Sequence, residues 1–318
     1  MNGMRRLRIL TWQVHGNYLY YLTHAPHEFF VLSKPGHPPG YGGRAGSLPW
    51  GANVHDCPVA SVRGQSFDCV LFQSRVHWER DQHEILTDAQ RKLPRIYLEH
   101  DPPLSHPTNT VHPVDDASLL LVHVTHYNAL MWDCGRVPTR VVEHGVRVPD
   151  DIAWSGELPR GVAVINHLAR RGRRLGADVF AAWRRQVPLD LYGMDAPSSG
   201  GLCELPYAEL LPAIARHRFF AHPVRYTSLA LALCEAMMLG LPVIGLATTE
   251  LPRIIADSGG GYVDTELARL VDASRELIRD RGRARELGRK ARDYARERFG
   301  IARFARDWNR VFTDVAGA

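Results

Sequence analysis

The sequence predicts an α/β fold of two doubly wound, Rossmann-like halves, and three observations carry that expectation. First, short runs rich in Val, Ile, Leu and Phe recur without strict alternation, as in strands buried on both faces of a parallel sheet. They occupy 7–12, 29–32, 67–73, 95–99, 119–124 and 140–143, then 161–166, 189–192, 218–221, 242–246 and 261–263. Second, helical patterns lie between them, over 79–93, 175–185, 208–216, 229–239 and 274–298. Strand–helix alternation builds a parallel sheet covered by helices. Third, the series pauses at Val148-Pro149-Asp150-Asp151-Ile152 and Ser155-Gly156-Glu157, then restarts at Gly161. That pause reads as a linker, giving domains over 1–156 and 157–299. A last stretch, 301–315, sets Phe304, Trp308, Val311 and Phe312 at helical spacing, so it closes the chain as an amphipathic helix packed on the body.

Composition narrows the class. The chain has 318 residues, 45% hydrophobic and 23% charged, which excludes disorder and fibrous repeats. No apolar run approaches the roughly 20 residues that span a bilayer. The start, 1–12, is basic and then apolar, lacks a small-residue cleavage site and runs straight into Trp12-Gln13-Val14-His15, so it reads as a strand rather than a signal peptide. Five scattered cysteines without a CxxC argue against a disulfide framework or zinc knuckle and for a reducing cytoplasm. The segment 34–56, dominated by Gly, Pro and aromatic residues, is too long for an ordinary connection and suits a lid or binding wall.

The net charge of +5 is compatible with phosphorylated ligands, an anionic membrane surface or nucleic acid. Its densest cluster is Arg170-Arg171-Gly172-Arg173-Arg174, and arginine presents a rigid donor fork suited to phosphate. Farther on, arginines alternate with Asp and Glu as on a solvated helix face, so no nucleic-acid partner is expected. Sixteen histidines invite a metal reading, but neither His123 with His126 nor His106 with His112 adds a carboxylate at ligand spacing, and the sequence has no Asp-x-Asp element. No metal is expected.

The most informative segment runs from Arg225 to Gly245. It reads as a polar loop, a helix from about Ser228 that Ser228 can cap, a stop at Gly240 and a strand opened by Pro242. The free N–H groups and positive dipole end of such a helix suit a phosphate or a sugar hydroxyl. Glu235, among Leu, Ala, Cys and Met, needs a partner. A ribose diol and a neighbouring arginine are both open to it from the residues alone.

The run Glu235-Ala-Met-Met-Leu-Gly-Leu-Pro-Val-Ile-Gly resembles the donor-site signature of retaining GT-B glycosyltransferases, especially glycosyltransferase family 4. That signature has two glutamates separated by seven residues. Glu235 stands at the second, and Thr227 stands where the first belongs. The resemblance places Glu235 on the donor ribose and Thr227, Ser228 and Leu229 beside the transferred sugar. Thr227 offers a hydroxyl but no charge for the sugar contact that the family's first Glu makes. Upstream, Gly161-Val-Ala-Val-Ile-Asn-His-Leu-Ala-Arg-Arg-Gly-Arg-Arg-Leu-Gly resembles the family's first strand and loop of the second domain, with Asn166 and His167 in its Gly-Arg slot. The diphosphate-binding duty then falls to Arg171 and Arg174, which share a face if the segment is helical. The stretch containing Leu202 and Leu205 matches the family's nucleobase region. In the first half, Gly16 and Asn17 follow the first strand at the family's turn near the donor phosphates, and His100, at the end of the 95–99 strand, matches a His that contacts the transferring sugar. Thr139-Arg-Val-Val-Glu-His-Gly-Val resembles the last strand of the family's first domain.

The resemblance therefore implies a GT-B architecture, two Rossmann-like domains facing a central cleft. The first binds the acceptor, the second binds a nucleoside-diphosphate sugar, and the closing helix within 300–318 packs back on the first. It implies a retaining, metal-independent glycosyltransferase with His100 and Glu235 as its catalytic candidates and no cofactor beyond the donor substrate. The acceptor would be a glycan, a glycolipid or a small-molecule glycoside. A cytoplasmic location is expected, compatible with peripheral association at the inner membrane face, and the oligomeric state stays open. Two other classes share these features: a GT-B sugar-nucleotide 2-epimerase and a non-catalytic nucleotide-sugar binding protein.

Overall fold

The computed structural model describes residues 5–14, 16–44, 46 and 48–317. His15 of the turn after the first strand, Ala45 and Ser47 of the 34–56 segment, the first four residues and Ala318 lie outside the described residues. The chain divides into two compact units, Met1–Gly145 with Ile301–Ala318, and Val146–Gly300. The stretch expected as a linker thus belongs to the second unit. No helix among the described residues is long and apolar enough to cross a membrane.

The first unit holds a seven-stranded parallel sheet in the order β3-β2-β1-β4-β5-β6-β7. Its strands are β1 (Arg8–Thr11), β2 (Glu28–Ser33), β3 (Val54–Pro58), β4 (Cys69–Phe72), β5 (Arg95–Glu99), β6 (Leu120–His123) and β7 (Thr139–Val141). Central strands such as β4 are buried at every position, which is why their sequences run apolar without alternation. β3 is a correction: it begins in the last residues of the segment expected to be irregular and runs two residues past it. It escapes a pattern search because it lies at the sheet edge and reads Val-His-Asp-Cys-Pro, polar in the middle and ending in a residue tolerated only at edges.

The second unit holds a five-stranded parallel sheet in the order β12-β11-β10-β8-β9. Its strands are β8 (Leu158–Val164), β9 (Leu189–Tyr192), β10 (His217–His222), β11 (Val243–Leu246) and β12 (Gly261–Asp264). Its core gathers Trp183, Phe180, Phe219, Leu191 and Ile244. Both orders reverse direction once. In the first sheet this happens between β1 and β4, and in the second between β8 and β10. In open parallel sheets, ligands bind outside the carboxyl ends of the strands at such switch points.

The helices depart from expectation in informative ways. The helix expected over 79–93 is broken into a π-helical turn His77–Asp81, a short helix Gln82–Ile85 and another at Asp88–Arg91. Leu86 is extended, and Thr87 forms a capping box with Gln90 that starts a new helix. Likewise, the helix expected over 274–298 is two, Leu267–Arg279 and Arg281–Arg298. Asp280 separates them by accepting the Arg283 N–H at 2.8 Å, the mark of an N-cap. Helices Gly16–Leu22, His126–Met131 and Leu251–Ser258 were not expected.

The closing helix Ile301–Ala316 buries Phe304, Trp308, Val311 and Phe312 within the first unit. Trp308 Nε1 donates to the Tyr18 hydroxyl at 3.2 Å. Gly145 is obligatory beneath it, because a Cβ there would lie 2.1 Å from the Phe304 side chain.

Candidate active site

In the second unit Arg171, Arg174, Thr227, Ser228 and Leu229 lie on the two connections flanking the switch point, after β8 and after β10. After β8 the chain makes a short helix Leu168–Arg171, turns at Gly172 with φ +56°, and continues as a 3-10 helix Gly172–Leu175. Arg171 and Arg174 therefore do not share the face of one helix, because Gly172 interrupts it. Gly176 follows with φ +79°, and a Cβ there would sit 1.9 Å from the Pro223 carbonyl oxygen. That close approach packs the β8 loop against the β10 loop.

Charge then ties the two loops together. Arg225 makes a fork to Asp178, with Nη1 to Oδ1 at 2.5 Å and Nη2 to Oδ2 at 2.8 Å. Arg173 reaches the same carboxylate at 2.5 Å. Arg225 Nη1 also donates to the Arg173 carbonyl, while the Arg225 and Tyr226 N–H groups both donate to the Arg174 carbonyl at 3.1 Å. Hydrogen bonding from Arg225, with the positive charges of Arg225 and Arg173 beside it, holds the Asp178 carboxyl at about 2. Within this frame Arg174 Nη1 is buried and has no hydrogen-bond partner among the described residues. A buried guanidinium donor without a protein acceptor suits an anion.

The β10 loop carries Thr227, half-buried, with Ser228 and Leu229 buried. Ser228 is not the helix cap. The helix Leu231–Leu239 begins three residues later, after an extended Ala230 and with no side-chain cap. Glu235 consequently sits one turn into the helix, and is only 2% exposed. A third loop, after β11, joins this edge through Thr248, whose hydroxyl donates to the Val224 carbonyl at 2.7 Å. Three non-glycine residues with left-handed backbone, His167, Asp195 and Thr249, follow β8, β9 and β11. Strained backbone of this kind persists where the surrounding structure imposes it and gathers at ligand-binding edges. Leu202, exposed, and Leu205, half-buried, stand apart from the switch point: the Leu202 N–H donates to Leu191, and Gly193 donates to the Cys203 carbonyl, alongside β9.

In the first unit, Gly16 and Asn17 do not form a bare turn but open the helix Gly16–Leu22. The next residue, Tyr18, brings them to His100: its buried ring meets the His100 imidazole edge-on at 4.8 Å and that of His144 at 5.5 Å. Burial pushes the Tyr18 phenol above its ordinary range. His100 follows β5, with its carbonyl bonded by Asn128 Nδ2 and its Nε2 3.3 Å from Gln73 Oε1, after β4. Glu99 accepts the Asp101 N–H at 2.9 Å and lies 3.1 Å from His112 Nε2.

The other histidines singled out are accounted for locally. His123 is fully buried, which lowers its pKa to about 4, and its Nε2 lies 3.4 Å from Cys134 Sγ, while His106 and His126 are exposed. Sequence reasoning missed Asp178, Gln73 and Thr249. No local signal marks them, because each acquires its neighbours only through strand order.

Residues 202–280 match the family model described as Glycosyl transferases group 1. No curated protein matches the chain. Among solved structures, sucrose-phosphate synthase from Thermosynechococcus elongatus superposes with a TM-score of 0.68 at 14% identity, covering 98% of this chain and 100% of that one. HepE from Anabaena, in complex with UDP and glucose, gives 0.68 at 14%, covering 97% and 100%. AviGT4, a glycosyltransferase involved in avilamycin A biosynthesis, gives 0.63 at 17%, covering 98% and 99%. At these identities the likeness is one of fold, spread over the whole chain. The matched segment spans β10, β11 and β12, the loop that holds Arg225 and Thr227, and the helix that holds Glu235. Segment and fold agree on a transferase enzyme, a glycosyltransferase of GT-B type.

Proposed function

We propose that this enzyme moves a sugar, with retention of configuration and without a metal, from a nucleoside-diphosphate donor to an acceptor hydroxyl. The second unit binds the donor and the first binds the acceptor, a sugar or lipid-linked glycoside, on the cytoplasmic side of a membrane or free in the cytoplasm. The observation that carries the reading is Arg174, whose buried Nη1 has no acceptor among the described residues, on the loop that Asp178 and Arg225 hold at the switch point. The HepE complex with UDP and glucose, on the same fold, supports a donor of this chemical class.

In this reading Arg171 and Arg174 neutralise the charge that develops on the departing diphosphate, joined by backbone N–H groups of the 227–229 loop. Leu202 and Leu205 flank the base, and Glu235 accepts from the ribose. His100 meets the transferring sugar, and Gly16 with Asn17 edges the donor phosphates. With no enzyme carboxylate assigned as nucleophile, the acceptor attacks the face from which the diphosphate leaves, and the diphosphate oxygen takes its proton. The resemblance to family 4 motivates the retaining course.

The test is a thermal-shift panel of nucleoside diphosphates and their sugars, run on the parent and on Glu235→Gln. One nucleoside diphosphate should raise the parent Tm. Glu235→Gln should keep its own Tm yet bind that ligand about ten- to a hundredfold more weakly, as for a lost charged hydrogen bond of roughly 1.5–3 kcal/mol. A lowered Tm with unchanged affinity would make Glu235 a structural residue.

A further inference from the structure

We infer that the first unit carries a separate saccharide-binding site, a cavity walled by Trp78, Gln82, His83, Arg95 and Asp116 that takes one neutral sugar unit. The inference rests on the proposed function only in assigning that unit to a glycan acceptor.

The cavity has a volume of about 330 Å³, at the small end of the range for ligand pockets. Arg95 opens β5, and His100 follows the other end of the same strand. At about 3.3 Å per residue, roughly 16 Å of strand separates the two. Asp116 likewise precedes the start of β6. The cavity therefore lies at the amino ends of β5 and β6, away from the carboxyl edge that carries His100.

Its polar lining is built and partly unspent. Trp78 lies in the π-helical turn His77–Asp81, and Gln82 follows it. Such turns are rare and recur at functional sites. Gln82 is only 4% exposed. Its carboxamide NH2 donates to the Trp78 carbonyl, which can only accept, so the orientation of the amide is fixed. Gln82 Oε1 is left without a hydrogen-bond partner among the described residues. A buried acceptor of this kind calls for a donor. The exposed His83 ring also has no hydrogen-bond partner among the described residues. Arg95 is held in place, with Nη2 2.7 Å from Ser118 Oγ and 3.1 Å from Asp116 Oδ2. Its guanidinium stands 5.6 Å from the centre of the Trp78 ring, which Phe72 backs edge-on at 5.3 Å.

The charges select against an ion. Arg95 is paired with Asp116, Arg91 with Asp88, and Glu79 with Arg75, all within 3.1 Å. An anion entering the cavity meets Glu79 and Asp116, and a cation meets Arg91 and Arg95. What remains for a ligand is one buried acceptor, one imidazole and an aromatic ring. A pyranose answers all three. Its hydroxyls donate to Gln82 Oε1 and pair with His83, and its C–H face lies against the indole, whose face is negative.

The experiment is fluorine NMR of the protein labelled with fluorotryptophan, in which the Trp78 resonance is the one missing from Trp78→Phe. The parent is titrated in turn with glucose, galactose, mannose, N-acetylglucosamine and maltose, and separately with inorganic phosphate. At least one sugar should move the Trp78 resonance saturably, with a millimolar Kd, and phosphate should leave it in place. His83→Ala, at an exposed position without a hydrogen bond to lose, should keep its Tm and bind that sugar about three- to tenfold more weakly, as for one neutral hydrogen bond. A Trp78 resonance that no sugar moves overturns the inference, and this result needs only the parent. Saturable movement by phosphate instead overturns the neutral ligand, and unchanged sugar affinity in His83→Ala overturns the site. If no nucleoside diphosphate binds the parent, the proposed function falls, while the sugar titration still decides what the cavity holds.

Discussion

At the second sheet's switch point Asp178, Arg173 and Arg225 clamp two loops, and Arg174 keeps a buried donor with no partner among the described residues. At the first, Thr11, Gln73, His100 and Tyr18 form a hydrogen-bonded and aromatic wall with no ion pair among them. The folds beneath are alike, parallel sheets with one reversal of strand order. The difference lies in what each edge can hold. A charged frame stabilises an anion, and its cost of assembly is repaid only where a counter-charge arrives. A wall of polar and aromatic side chains suits hydroxyls, which need direction more than charge. The proposed reaction has one substrate part of each kind, a diphosphate and a sugar.

The largest effect is expected where the charge is greatest. Replacing Arg171 and Arg174 together by Gln should weaken nucleoside-diphosphate binding by about a hundredfold or more, since each charge-assisted contact is worth roughly 1.5–3 kcal/mol. The parent nucleoside, measured by the same titration calorimetry, should bind almost as before. Equal losses for both ligands would remove the basic run from the diphosphate and erase the contrast between the two edges.

Next in size is the clamp. Asp178→Asn keeps shape but frees Arg225 and Arg173 from their shared carboxylate, so Arg174 loses its fixed place. Affinity for the nucleoside diphosphate should drop about tenfold, or roughly 1.4 kcal/mol. A pH signature accompanies it. The Asp178 carboxyl is held at about 2, below its ordinary 3.8, chiefly by the hydrogen bond from Arg225. A depressed folded-state value stabilises the fold above about pH 4 and loses that contribution as pH falls toward 2. The parent should therefore lose stability in this window in excess of Asp178→Asn, by an amount kept small because the carboxylate is 40% exposed. Superimposable acid-denaturation curves would show that the clamp contributes nothing.

What was legible in the sequence follows from how locally each feature is determined. Strands buried on both faces announce themselves as apolar runs, and those of both sheets were readable apart from β3. The edge strand was hidden because one flank needs no apolar face. The breaks at Thr87 and Asp280 carried cap signals, but a longer apolar period running through them masked the stops. Within the site, loops that follow a strand were readable as positions, hence Arg174, Thr227 and His100. Their partners were not. Asp178 meets Arg225 across 47 residues, and Gln73 meets His100 across 27, pairings that exist only once the strand order is known. The helix start was misplaced because Ser228 looks like a cap, whereas the chain stays irregular to Ala230 before turning helical.

The smallest and most discriminating change is at Thr227, on the charged edge but itself neutral. The resemblance puts a glutamate here, which would set a negative charge beside the diphosphate site proposed at Arg171 and Arg174. Thr227 is half-buried and follows Tyr226, whose N–H is bonded to the Arg174 carbonyl, so its place is coupled to the clamp. Thr227→Val deletes only the hydroxyl. One neutral hydrogen bond is worth about 0.5–1.5 kcal/mol, so kcat should fall by about tenfold at most, with the affinity for the nucleoside diphosphate preserved. Thr227→Glu asks whether the edge has been rebuilt around a neutral side chain. A pocket that keeps the room and the partners of the family pattern accepts the carboxylate and retains or gains turnover. A pocket closed around threonine meets a crowded, unpaired charge, and turnover is lost while the fold, read by Tm, survives. Steady-state kinetics of both variants with the donor found in the panel separates these outcomes. A Thr227→Val enzyme as fast as the parent would take the residue out of the site.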